Sequence, residues 1–243
     1  MRMFNFAKRN FKELIRDPLS LIFEIGLPLF LLFIFQQFNI PSDNFKLENF
    51  TPSIILFSFS FITLFSSNLI AKDRTSSFLI RLGTSPMKSR DFILGYIISL
   101  IPMILIQDIL FFILAIILGL SFSINIIFTI LVSLVVSILF ISLGILIGSV
   151  ASEKGTGGIG SVIVQLVCFT SGMYFPKEVI GKTFGTICKL LPFEGSLNII
   201  KAVMNNDYSI VSTRNIIVFS IYTIVTIVLA IIVFKKKMVS DNK

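Results

Sequence analysis

The chain has 243 residues, 55% of them hydrophobic and 14% charged, with a formal net charge of +8 and a mean hydropathy of +0.95. That composition lies outside the range of soluble domains and places the chain in a bilayer. There is no histidine, which excludes histidine-based metal sites, catalytic triads and imidazole bases, and two cysteines, Cys168 and Cys188, do not make a disulfide framework; nothing in the composition points to an enzyme or calls for a cofactor.

Residues 1–18 come first. Phe4, Ala7, Phe11 and Leu14 recur at helical spacing opposite Lys8, Arg9, Lys12 and Arg16, which predicts an amphipathic helix lying in the membrane surface. Such a helix reads either as an anchor on anionic lipid or as a lever touching a cytoplasmic partner. Pro18 then allows a bend into the first apolar run.

A hydrocarbon core about 30 Å thick takes about 20 residues of helix. Six runs are long enough: 19–38, 53–71, 92–119, 123–150, 156–175 and 215–234. They are continuous, as in SILFISLGILIG, and not the alternating segments of about ten residues that barrels use. The expected fold is therefore an all-α membrane protein, a single domain over 1–243 with six transmembrane helices. The hydrophobic start does not read as a cleaved signal peptide, because its run is too long and no small-residue cleavage site follows.

Fifteen of the 21 Lys and Arg fall in residues 1–18, 72–91, 151–155 and the tail after 234, which lie on one side of a six-span alternation. The positive-inside rule puts both termini and the 72–91 loop in the cytoplasm. This distribution accounts for the net charge without nucleic acid. Within the loop, residues 74–82 predict a short helix with Phe78, Leu79 and Leu82 on one side, ended by Gly83 and kept from resuming by Pro86.

Two carboxylates fall inside predicted spans, Glu24 in the first and Asp108 in the third. A charge near the bilayer centre costs about 2.5–3.5 kcal/mol, so such a group faces protein or water. Glu24 is near enough to the cytoplasmic end to snorkel. Asp108 stands beside Gln107, and Gln165 lies in the fifth run; with Glu24 these are the candidate residues of a translocation path. For Asp108, a hydrogen bond between packed helices is an equal alternative.

Two nucleotide-like motifs fail on context. GTGGIG, at 155–160, follows a membrane span and not a strand, so its small residues Gly157, Gly158, Gly160 and Ser161 read as sites of close helix approach. PKEVIGKT, at 176–183, has Pro176 where a P-loop needs glycine, and it falls on the outer side, away from ATP. It opens instead an extracellular segment, 176–213, of two short amphipathic helices joined at Pro192: Ile180, Phe184, Ile187 and Leu191 mark the first apolar face, and Phe193, Leu197, Ile200 and Met204 the second. That pattern predicts a re-entrant hairpin dipping into the outer leaflet.

The basic amphipathic helix, RTSSFLIRLGTSP between runs two and three, SGMYFP at the end of run five and KEVIGKTFGTICKLLPFEGSLNIIKAVM ahead of the last run occur in a particular order and spacing. In that arrangement the chain resembles, over nearly its full length, the permease subunits of type-2 ATP-binding-cassette (ABC) transporters, mostly exporters. The resemblance implies a second permease subunit, in a homodimer or heterodimer, and two copies of a separate ABC ATPase subunit that hydrolyses ATP. It also implies that the 72–91 loop docks on that ATPase, with Phe78, Leu79 and Leu82 in an apolar groove and Arg74 and Arg81 pairing with acidic groups. Where the family often carries an acidic residue near the start of this loop helix, Thr75, Ser76 and Ser77 stand here.

The expected location is a bacterial cytoplasmic membrane, among its lipids, and the expected cargo is amphipathic: a lipid-like molecule, a peptide or a drug such as an antibiotic. Two other functions compete. A secondary carrier driven by an ion gradient would show broken helices and midplane charges in both halves of an internal repeat, and neither is found. A non-transporting assembly or immunity protein would use the outer hairpin for recognition.

Overall fold

A computed structural model of the chain describes residues 2–38, 40–76, 89–174 and 181–240, and every regular element among them is helical. The first, α1 (Arg2–Ile15), buries Phe6, Ala7, Asn10 and Leu14 and leaves Phe4 59% exposed. The buried stripe is thus rotated from the one expected, because α1 lies against α4 (Ser89–Ile117). There the Phe6 ring meets Phe92 and Tyr96 edge-on, at centroid distances of 5.4 and 5.0 Å. A Cβ on Gly95 would come within 2.5 Å of the Phe6 ring, so the glycine makes the contact possible.

Asp17 caps the start of α2 (Pro18–Gln37): it accepts hydrogen bonds from the Ser20 hydroxyl at 2.6 Å and the Ser20 amide at 3.4 Å, and Pro18 fills the first helical position. Inside α2, Ile22–Gly26 widens into a π turn carrying Glu24. Next come α3 (Leu47–Thr75), α4, α5 (Ile124–Val150), α6 (Glu153–Thr170), α7 (Lys182–Leu190), α8 (Pro192–Asn205) and α9 (Thr213–Ser240).

Five of these helices are long and apolar enough to cross a membrane: α2, α3, α4, α5 and α9. The fifth run of the sequence corresponds to α6, which has 18 residues and is not among the five. It opens on Glu153, Lys154 and Gly155, and past its end Gly172 takes a left-handed φ of 81°, which stops the helix short of residue 175.

The bundle is organised around α3. Thr63 donates to the Phe140 carbonyl of α5 at 2.9 Å, and below that point Gly144 and Gly148 bring α5 against α3 so closely that a Cβ would lie 2.9 Å from the Thr63 oxygen and 2.5 Å from the Ser67 oxygen. On the other side Gly160 of α6 meets Leu64, whereas Gly157 and Gly158 face open space. Among the buried hydroxyls of α3, Ser58, Ser66 and Ser67 each donate to a carbonyl three residues back, whereas that of Thr51 has no hydrogen-bond partner among the described residues. The three serines fit between closely packed helices without leaving their hydroxyls unpaired.

The two short outer helices are not alike. Phe184, Ile187 and Leu190 of α7 stay exposed. In contrast, α8 buries Phe193, Leu197, Ile200 and Met204 and also Glu194, Asn198 and Lys201, so its expected polar face is covered as well. It sits among α3, α5 and α9. Phe193 at its start packs on Phe140, past the midpoint of α5, at 5.9 Å, while Asn205 at its end bonds Asn49 at the start of α3 at 2.9 Å. Asn206, at φ 51°, closes α8 in the left-handed conformation that asparagine tolerates.

Candidate functional site at the charged end of the bundle

The end of α3 reads Lys72-Asp73-Arg74-Thr75, and between them these side chains reach four other helices, α1, α4, α5 and α6. Asp73 is buried and accepts from both α1 and α4. Arg9 Nη1 lies 2.7 and 2.8 Å from its two oxygens, and the Tyr96 hydroxyl donates to Oδ2 at 2.8 Å. Arg9 also pairs with Glu13 one turn on, at 2.7 Å, and Glu13 accepts from Lys72 at 2.8 Å. The carboxylate of Asp73 thus sits in a pocket built by three helices, where charge-assisted bonds offset part of its loss of water.

Arg74 turns the other way. Nη1 donates to the Gly148 carbonyl at 3.1 Å and to that of Ser149, and Nη2 donates to Ala151 at 2.9 Å. Thr75 donates to Glu153 at the start of α6 at 3.4 Å. Aromatic rings close the far side: Phe234 of α9 lies 6.2 Å from Tyr96 and 6.5 Å from Phe92. Four helices, α1, α4, α5 and α6, are therefore bonded to the last turn of α3, directly before residues 77–88, and α9 packs on the α4 aromatic rings beside it. Beside it, a cleft of about 320 Å³ is lined by Glu13, Arg16, Asp17, Phe65, Asn68 and Lys72, so it offers both signs of charge over an aromatic floor.

Of the loop residues singled out from sequence, Arg74 is placed here, and Phe78, Leu79, Arg81 and Leu82 lie outside the described residues. The four candidate path residues are not brought together by any hydrogen bond or ion pair among the described residues. Gln107 donates to Ser58 of α3 at 3.0 Å, Asp108 is bonded to Ser133 of α5, and both are buried. Glu24 is buried on the π turn of α2, with one oxygen lacking a hydrogen-bond partner among the described residues, as has one oxygen each of Gln107 and Asp108. Gln165 is exposed on α6.

Asp73, Arg9 and Tyr96 were missed as site residues by sequence reasoning. A signal existed: an aspartate flanked by two bases at the end of an apolar run is an acid in a basic segment, and it needs a partner if buried.

With the geometry in place, comparison with known protein families gives a match. Residues 2–205 fit the family described as ABC-2 type transporter. None of the curated proteins matches the chain.

Proposed function

Because the chain belongs to the ABC-2 type transporter family, a family whose permeases associate with an ABC ATPase, we propose that it is the transmembrane subunit of an ATP-driven exporter whose ATP is hydrolysed on a separate polypeptide. The observation that supports this reading is the anchoring of α3. Its last turn is bonded to α1, α4, α5 and α6 immediately before residues 77–88. A force applied to those residues by a partner would reach most of the bundle, which is what coupling to an external motor requires.

In this reading residues 77–88 dock on the ATPase, with Phe78, Leu79 and Leu82 as the apolar anchor and Arg81 at the rim. Two ATPase copies and a second permease complete the transporter, which lies in a bacterial cytoplasmic membrane. The concentration of Lys and Arg at the end holding α1, the 77–88 segment and the close of α9 supports a cytoplasmic position for both termini. With α6 as a short additional span the crossings number six. The depth reached by Phe193 and the return of α8 to Asn49 favour a re-entrant hairpin from the outer side. The cargo is amphipathic, of a lipid-like, peptide or drug-like kind, in keeping with a cleft that joins charged groups to Phe65.

The test is co-purification with an ABC ATPase and reconstitution into liposomes. An apolar anchor in a partner pocket commonly carries about 2 kcal/mol or more of interface energy. Phe78→Ala is expected to weaken ATPase association, and Phe78→Ala/Leu79→Ala to abolish it together with transport, while membrane insertion stays normal. A double variant that keeps full ATPase binding removes this segment from the docking role.

A further inference from the structure

Arg74 occupies the end of another helix. A helix leaves the carbonyls of its last turn without partners inside the helix. At the end of α5 the Ala151 amide returns to Ile147 at 2.8 Å, which leaves the carbonyls of Gly148 and Ser149 to be met from outside. The Arg74 guanidinium meets both, and the Ala151 carbonyl beyond them. It also places a cation at the negative end of the α5 dipole. A planar fork reaches several carbonyls at once, whereas a lysine ammonium is a single point.

The rest of the α3–α5–α6 contact runs in register with this fork. Gly148 lies against the Ser67 carbonyl, Thr156 of α6 donates to Asn68 at 3.4 Å, and Thr75 donates to Glu153 at 3.4 Å. Between α5 and α6 stand only Ala151 and Ser152, and Ser152 caps α6 by accepting from the Gly155 amide at 3.2 Å. The turn therefore has little slack: whatever holds the end of α5 also holds the start of α6.

We infer that Arg74 is a positioning residue that ties the α5–α6 turn to the end of α3, so that a push on the residues following Thr75 moves α3, α5 and α6 as one body. This rests on the reading that residues 77–88 receive the push of the ATPase. It assigns Arg74 a role inside the permease and not in the contact with the partner. Without the fork α3 still moves, and α6 lags behind it.

The experiment uses the full chain in lipid nanodiscs, with Cys168→Ser and Cys188→Ser removing native thiols and spin labels on Ser76→Cys and Lys154→Cys, at the ends of α3 and α6. The wild-type background gives a narrow distance distribution. Arg74→Gln broadens it, and Arg74→Lys, which keeps the charge without the fork, falls between. With the co-purifying ABC ATPase, Arg74→Gln is expected to retain the ATPase but lose roughly tenfold of the permease-dependent stimulation of ATP hydrolysis, the scale of a coupling network losing one member. Bridging the two cysteines with a bismaleimide then restores the stimulation, which a mere loss of folding would not allow.

An unchanged distance distribution in Arg74→Gln overturns the inference, as does lost stimulation that bridging fails to recover. If Arg74→Gln does not insert, Arg74→Lys carries the same comparisons. If the wild-type chain binds no ATPase, the docking reading falls by itself, and the label distances in the permease alone still decide what Arg74 does.

Discussion

The helices α3 and α9 are both long enough to cross a membrane, and they make opposite use of their side chains. The apolar window of α9 is the more hydrophobic of the two, yet 17% of it is buried within the chain; for α3 the share is 83%. In water the ranking would be reversed, since the most apolar surface is the first to be covered. In a bilayer the lipid tails are as apolar as leucine, so an apolar helix has no need of a protein neighbour, and association depends on close packing and hydrogen bonds. What draws helices around α3 is a set of serines and threonines facing glycines, with Thr63 bonded across to α5. On α9 the inward face narrows to residues such as Phe219, Thr226, Ala230 and Phe234, with Thr226 bonded to Ser142 at 2.8 Å.

The largest effect is expected where α3 meets α5. Gly148→Leu drives a side chain into the Ser67 carbonyl, 2.5 Å from where its Cβ would lie. Both sides of that contact are backbone, so little can yield. The expected cost is about 3 kcal/mol, at the upper end of overpacking, with loss of folded protein in detergent. A variant that unfolds at the wild-type denaturant concentration would show that α3 and α5 are not in the contact described.

Asp73→Ala comes next. It leaves Arg9 and Tyr96 facing a gap, but Arg9 is 37% exposed and partly returns to water, which reduces the loss to about 2 kcal/mol. Combined with Arg9→Ala, the two changes are expected to cost clearly less than their sum, because they remove one shared interaction. Additive losses in a double-mutant cycle of detergent unfolding would show that the pair contributes nothing.

The smallest effect belongs to α9. Ile224 is 62% exposed, and Ile224→Ala is expected to change stability by under about 0.5 kcal/mol. A loss approaching that of Gly148→Leu would break the comparison, since it would mean that this face of α9 is covered by a partner and not by lipid.

Much of this architecture is written along the chain itself. Runs of this length and hydropathy must satisfy their own backbone in a bilayer, and only helices do so locally, so the helical class and the position of most helices follow from composition and spacing. Pro18 and Pro192 at helix starts act through backbone geometry that each residue carries with it. The family was legible too, in the order of motifs over residues 2–205. Everything that depends on which helix lies beside which was left to the tertiary structure. The apolar periodicity of α1 did not tell Phe4 from Phe6, because the choice is made by Gly95 of α4. The polar residues of α8 read as the opposite face of an amphipathic helix, yet Glu194, Asn198 and Lys201 are buried in a helix that sits among α3, α5 and α9. The site at the end of α3 was legible only as a basic loop, because Asp73 acquires its role from an arginine 64 positions earlier and a tyrosine 23 positions later. Hydropathy is a property of a segment, whereas burial and ion pairing belong to pairs of segments, and the fold alone brings those pairs together.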